Sequence, residues 1–412
     1  MSNEIDIATR SLPAPVFGML TLPLGIQTGF ASVTLGYVLS HHGFSVAAVA
    51  GLIGLSLLPS TWRFLVGPFI DVSLTPRLWY LLSNGLMSLS FLGVALVPLE
   101  LASLPILSLL VFTLGVTSNV AGSAKYAVVA TTVPSHHRGA VAGWMQAGNL
   151  GGTGLGGGIG LMIATQFGMS VAAVSLAAGC ILLSLPMLWA RTPRQSAGVG
   201  LGPQAAGLWR AMWALLCTRD GILAIIASVL PVGLGAAATL LSAVAGDWSA
   251  SANEVALATG ILGGLASMPG CIAGGYLANR FGARPAFIIA GLVGGCGEAA
   301  MALAPHTPVM FMGFVLLNNV LLGVAWGALT AVTLEVLKPA GAATVGAVLA
   351  SVSNLPVVVG IMFIGAVQIR HGSATMLLVE AGLAVLSVIT YSLLAVLWRP
   401  AAKTFTTATA TA

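Results

Sequence analysis

Four charged residues of this chain lie inside long apolar runs: Arg63, Lys125, Glu298 and Glu380. A cation inside a membrane helix costs roughly 2.5–3.5 kcal/mol on insertion scales. Lys125 must therefore face a polar cavity or a carboxylate. Arg63 either does the same or snorkels to a nearby interface. Cations facing a cavity bind an anion, and Lys125 is also a candidate to exchange a proton. Its helical face carries the small residues Ser118, Ala121 and Gly122. Glu298, in V-G-G-C-G-E-A-A, shares a face with Gly291, Gly294 and Gly295. A carboxyl buried there either carries a proton or makes a structural hydrogen bond. Glu380 sits only about 9 Å into its run by helical rise and ranks below Glu298. Asp247 and Glu254 flank the end of a run and read as solvated.

Uncharged polar residues add to this set. Gln27, Asn119, Gln146, Asn149, Asn318, Asn319 and Asn354 fall mid-run, with Trp326 as a stacking surface. Each alone fits an interhelical hydrogen bond; together they suit the lining of a solute cavity. Two corners close long apolar runs. Gly67 to Arg77 reads G-P-F-I-D-V-S-L-T-P-R and contains Asp71. Gly275 to Arg284 reads G-Y-L-A-N-R-F-G-A-R and contains Asn279, Arg280 and Gly282.

The elements that position these residues follow from composition. Of 412 residues, 58% are hydrophobic and 6% charged, against about 25% charged in soluble domains. Such a chain cannot cover itself with charge, so most of its surface faces lipid. A span needs roughly 20 apolar residues. Twelve runs qualify: 16–39, 46–66, 78–97, 105–130, 140–164, 171–189, 221–245, 255–277, 285–304, 309–334, 343–367 and 375–397. With the N-terminus cytoplasmic, the inside segments hold Arg10, Arg77, Arg138, Arg191, Arg194, Arg210, Arg219, Arg280, Arg284, Lys338, Arg399 and Lys403. The outside segments hold Arg370 alone. This is the positive-inside pattern, and it places both termini in the cytoplasm. The N-terminus lacks the basic head and cleavage site of a secretory signal, so the first run is expected to remain as a span.

The polar stretch 191–218 divides six runs from six. This gives an N-terminal bundle (1–190), a linker (191–218) and a C-terminal bundle (219–412). Within the linker, Trp209, Met212, Trp213 and Leu216 share a helical face, with Arg210 off it. That suits either a helix lying in the cytoplasmic interface or a linker helix packed on protein. The halves repeat weakly. Gly67 and Gly275 stand 208 residues apart, as do Leu114-Gly115-Val116 and Leu322-Gly323-Val324. Pro134 and Pro339 stand 205 apart, as do Asn149-Leu150 and Asn354-Leu355. Repeated halves with a site at their interface are a common transporter plan.

These features resemble the major facilitator superfamily: six plus six spans, a central loop, and a charged corner after the second span of each half. The family corner reads approximately G-x-x-x-D-[RK]-x-G-[RK]-[RK]. Gly275, Asn279, Arg280, Gly282 and Arg284 match it, with Asn in place of Asp; the first copy keeps Gly67 and Asp71, and Arg77 arrives late. The run L-P-S-T-W-R-F-L-V-G-P-F-I-D, with L-P-L-G-I-Q-T-G-F before it, is similar to the branch of AmpG-type muropeptide permeases, acetyl-CoA transporters and siderophore importers. The resemblance implies an all-α fold of twelve spans in two pseudo-symmetric bundles, working by alternating access. It implies proton-coupled uptake in a bacterial inner membrane, with export of a drug or metabolite as the alternative. It also implies that Asp71 meets the start of the eleventh span, here the Gly341–Thr344 turn, as a gate. A carboxylate near a helix N-terminus gains roughly 0.3–1 kcal/mol. Glu335 is expected to pair with Arg77 or Lys338.

Glycines at 148, 152, 156 and 160, and Gly263, Ser267, Cys271 and Gly275, make small-residue stripes. They suit close approach of the fifth and eighth spans. The first stripe is not a phosphate loop, since it lacks both a preceding strand and G-K-[ST]. The Gly-Pro pair of drug antiporters is missing. No enzyme motif, cofactor site or basic-aromatic nucleic-acid patch is found. The pairs His41-His42 and His136-His137 lack acidic companions for a metal, and Cys180, Cys217, Cys271 and Cys296 are too scattered for one. A non-transporting receptor or scaffold would need neither the corners nor the intramembrane charges. The expected partners are an anionic small molecule, protons and lipid, with the protein a monomer.

Overall fold

The computed structural model describes residues 12–190, 192, 201–230, 235–259 and 261–397. Arg10, Arg191, Arg194, Arg399, Lys403 and the linker stretch 193–200 lie outside the described residues. Among the described residues all regular structure is helical. The first half comprises α1 (Ala14–His41), α2 (Val46–Ser60), α3 (Arg63–Val72), α4 (Pro76–Leu96), α5 (Leu101–Thr132), α6 (Arg138–Gly154), α7 (Gly160–Phe167) and α8 (Met169–Trp189). Then come α9 (Leu201–Cys217), α10 (Arg219–Val229), α11 (Ala236–Val244), α12 (Ala252–Thr259), α13 (Ile261–Phe281), α14 (Ala283–Leu303), α15 (Pro308–Val336), α16 (Ala342–Val352) and α17 (Asn354–Leu397).

Among the described residues, eight helices are long and apolar enough to cross a membrane, or up to ten if each of two bent pairs is one span. The run Ala342–Leu397 counts once although it holds 56 residues. At 1.5 Å per residue it would reach about 84 Å if straight, against a hydrocarbon core of about 30 Å. Gly372, at φ 82° and ψ 175°, turns the chain within it, a conformation that an L side chain would resist. The run 140–164 falls outside the eight; it forms α6 and α7, which are diluted by glycine and amide residues. The run 221–245 forms α10 and α11 on either side of residues 231–234, which are not described.

Local chemistry sets the helix ends. The hydroxyls of Ser45, Thr75, Thr218 and Thr307 accept N–H bonds from the residue three ahead, capping α2, α4, α10 and α15. Proline sits at the first turn of α4 and α15, where no donor is lost. Apolar side chains cover both sides of the spans. On α4, Met87 and Phe91 are fully buried while Leu82, Leu86, Leu89 and Leu96 are exposed on the opposite face. Soluble monomers rarely show such a continuous apolar surface.

Glycine sets the close packing, in a different arrangement from the expected one. The stripe Gly148, Gly152, Gly156 and Gly160 faces α1, not α13. A methyl group added at Gly152 would lie 3.0 Å from Gly25 Cα, and one at Gly156 would lie 2.8 Å from Ile26 Cα. The α6–α13 contact uses another face, with Gly139 and Gly143 against Cys271, Gly275 and Asn279. Of the α13 stripe, Ser267 meets Gly323 of α15, and Cys271 meets Gly323 and Gly327 of α15 as well as Gly143 of α6. Glycine recurs on two faces of α6, and a stripe marks where a backbone can approach without naming the neighbour. Alongside the α1 contact, both helices widen into π turns, Phe30–Leu35 and Leu155–Ile159. The Thr34 hydroxyl donates across the seam to Gly156 O at 2.8 Å, shared with Gly157 O at 3.1 Å.

Candidate functional site

A cavity of about 340 Å³ lies between the halves. Arg63, Tyr126, Gln146, Asn149 and Leu150 line it from α3, α5 and α6. Trp326, Leu329, Thr330 and Thr333 come from α15, and Ala350, Ser353, Asn354 and Val357 from α16, the α16–α17 junction and α17. Arg63 reaches it because the chain breaks just before: Pro59 ends α2 in a tight turn, and α3 departs at 41°. Its Nε–H donates to Ser123 Oγ at 2.8 Å, and its guanidinium lies 5.3 Å from the Tyr126 ring centroid. Gly122 makes the room, since a methyl there would sit 2.5 Å from Nη2. The terminal nitrogens have no hydrogen-bond partner among the described residues. No carboxylate lines the cavity, and none pairs with Arg63 or Lys125 among the described residues.

Other candidates lie elsewhere. Lys125 is 3% exposed and does not line the cavity. Its Nζ donates to Thr21 Oγ1 at 2.7 Å, and the Thr21 hydroxyl donates to Phe17 O at 2.6 Å. Gln27 is buried in α1, and its Nε2 has no partner among the described residues. Asn119 and Asn319 donate to carbonyls of their own helices, Gly115 O and Val315 O. Asn318 and Glu298 line a separate pocket of about 20 Å³. There Glu298 Oε2 and Asn318 Oδ1 have no hydrogen-bond partner among the described residues. Glu380, ranked low from sequence, is buried and accepts N–H bonds from Ala236 and Ala237 at the start of α11. Tyr126, Thr330, Thr333 and Ser353 line the main cavity and were not singled out by sequence.

Among the described residues, the hydrogen bonds joining the first half to residues 235–397 run from the corner end to beside the cavity. Asp71 accepts from Ala343 N at 3.1 Å, Thr344 N at 2.8 Å and Thr344 Oγ1 at 2.7 Å. Gly67 permits this approach: a methyl there would lie 2.5 Å from Thr344 Cα. Arg138 Nη1 donates to Leu334 O and Leu337 O, both at 2.8 Å, so it closes the end of α15. Sequence had counted Arg138 only as a loop charge. Nearer the cavity, Ser351 Oγ donates to Ser60 O at 3.1 Å.

The second corner packs within and across the halves. Gly275 lies against Gly143, Asn279 against Gly139, and Arg280 over the Phe281 ring at 5.5 Å. Gly282 turns the chain at φ 92°. Arg284 pairs with Asp220 at 2.6 Å and lies 3.9 Å from Glu335. The expected pairing of Glu335 with Arg77 or Lys338 is therefore corrected. The α13–α14 turn brings Arg284 to Glu335, while Arg77 Nη1 donates to Ala190 O at 3.5 Å in its own half.

A family model described as the Major Facilitator Superfamily matches residues 17–361. No curated protein matches the chain. Among solved structures, the human organic anion transporter MFSD10 (TETRAN) is 20% identical, with a TM-score of 0.69 over 94% of this chain and 99% of that one. FucP in the outward conformation is 14% identical, with a TM-score of 0.72 over 94% and 99%. The proton:xylose symporter XylE is 16% identical, with a TM-score of 0.68 over 97% and 99%. At these identities the likeness is one of fold.

Proposed function

Because the chain belongs to the major facilitator superfamily, we propose that it takes up an anionic solute by proton-coupled alternating access. It is an integral, multi-pass membrane protein, a transporter and not an enzyme. The architecture we read is twelve spans in two bundles, 1–190 and 219–412, joined by the segment 191–218, with the corner end cytoplasmic. The observation that carries the substrate class is Arg63, a cation in the cavity whose terminal nitrogens meet no acceptor among the described residues. Around it stand the amides of Gln146, Asn149 and Asn354, the hydroxyls of Thr330, Thr333 and Ser353, and the rings of Tyr126 and Trp326. This lining suits a carboxylate that also carries amide or hydroxyl groups, as a muropeptide does. The volume is near the small end of ligand pockets, about 300–1,000 Å³, so the smallest members of that class come first. TETRAN is an organic anion transporter, and XylE a proton:xylose symporter; both agree with this reading. Lys125 and Glu298 are the proposed proton carriers.

Uptake into proteoliposomes tests it. Labelled muropeptide fragments, siderophore carboxylates and acyl-CoA are compared with neutral amide analogues, with and without a pH gradient. The anion is expected to accumulate with the gradient, and its neutral analogue is not. Equal transport of both would remove the anion reading.

The corner-end contacts close the cavity on that side, so this structure reads as outward-facing. Asp71, Gly67, Arg77 and Glu335, with the second corner, are proposed to control that gate. Asp71→Asn keeps the shape and removes the charge held at the α16 N-terminus. Uptake should fall roughly tenfold, equivalent to about 1.4 kcal/mol, while expression stays normal. Unchanged uptake would deny Asp71 a part in gating.

A further inference from the structure

α9 carries two apolar faces where a linker helix on a soluble protein has one. On the first, Ala211 and Leu215 are buried, at 9% and 2% exposed. On the second, Trp209, Trp213 and Leu216 are 68%, 57% and 56% exposed, and the indole centroids stand 6.2 Å apart. The segment Ala206–Cys217 meets Arg219–Val229 at 70°. A helix turned that far from a neighbour that enters the apolar layer runs along the layer's surface. Arg210 is exposed on the face next to the two tryptophans, its Nε–H turned back to Ala206 O at 3.2 Å. Paired indoles beside a cation, on a helix in this orientation, suit the boundary between phospholipid headgroups and acyl chains.

The buried face rests on the gate itself. A methyl group at Gly341 would lie 2.7 Å from Ala211 Cβ and 3.5 Å from Leu208 Cδ1. Gly341, at φ 78°, precedes α16, the helix whose first N–H groups Asp71 holds. α9 also touches the Gly67–Val72 segment of α3. It therefore bridges the two elements that must separate when the corner end opens.

We propose that Ala206–Cys217 is a membrane-surface latch: phospholipid holds its Trp209–Trp213 face, and that hold keeps the corner-end gate closed. The inference rests on the alternating-access reading. Opening requires α9 to leave α3 or α16, and a helix anchored in the surface resists that. Anionic headgroups, which Arg210 attracts, strengthen the hold.

The test uses the full chain in nanodiscs, with Cys217 and Cys296 changed to serine and spin labels on Leu74→Cys and Lys338→Cys across the gate. Brominated phosphatidylcholine is expected to quench wild-type tryptophan fluorescence more than that of a Trp209→Ser, Trp213→Ser variant. Raising phosphatidylglycerol from none to half of the lipid should increase the short-distance (closed) population at least threefold. That response should vanish in the double tryptophan variant. It should weaken in Arg210→Gln, which keeps both indoles. Equal quenching in the two proteins would mean that solvent or another part of this chain covers the face, and would overturn the proposal. Two distances populated alike in every lipid would overturn the latch and leave alternating access standing. A single fixed distance in every lipid and with every solute would overturn both.

Discussion

Changing Arg63 to alanine will raise the KM for an anionic solute by roughly 10- to 150-fold, the equivalent of about 1.5–3 kcal/mol for hydrogen bonds to a charged group. Among the described residues, the terminal nitrogens of Arg63 lie at the cavity with no protein acceptor, and no carboxylate competes for them. A carboxylate entering the cavity would meet a planar fork already held by Ser123 below and the Tyr126 ring beside it. Arg63→Lys keeps charge without the fork, so it should recover only part of the loss. A neutral analogue, if transported at all, should lose little. Initial-rate kinetics on the anion and on its amide separate these outcomes. An unchanged KM for the anion in Arg63→Ala would take away the residue on which the substrate class rests.

Changing Gly152 to leucine will cost folded protein rather than affinity. At this point α1 and α6 touch through backbone, and even a methyl group at Gly152 would lie 3.0 Å from both Gly25 Cα and Ile26 N. Overpacking costs typically about 1–3 kcal/mol, and here the obstruction is backbone that cannot rotate away. The expected outcome is a lower melting temperature in detergent and a marked loss of monodisperse yield. Gly179→Ala is the control, because nothing lies within 4 Å of a methyl group there. Similar melting for both variants would show that the α1–α6 seam is looser than drawn.

The helical runs were legible from local signals, and the Asp71 contact with the α16 start from the family resemblance that its corner carries. Long apolar stretches read as helices, and the Gly67–Asp71 spacing marks a known kind of corner. Rotation about each helix axis was much less legible. Gln146, Asn149, Trp326 and Asn354 reach the cavity, whereas Asn119 and Asn319 bond to carbonyls four residues back on their own helices. Both fates are open to an amide in an apolar run, and the sequence does not distinguish them. Lys125 was expected at a cavity or a carboxylate, and a buried hydroxyl on α1 took that place. Thr330 and Thr333 passed unnoticed because threonine is unremarkable in membrane helices, where its hydroxyl bonds its own backbone, as Thr333 does to Leu329 O. Arg138 was hidden by its setting, one more positive residue in a loop.

The Thr34 bond across the paired π turns has a mechanical consequence. π turns are rare interruptions of a helix, and here the hydroxyl of one helix donates to two carbonyls of the other. Sliding α1 past α6 would break that bond, which a fully buried hydroxyl makes. The two helices are thereby keyed like a spline in its groove: they can tilt together, but neither can piston. Flexing in this half is left to the joints beyond the key, the Gly168 turn and the bend before Arg63.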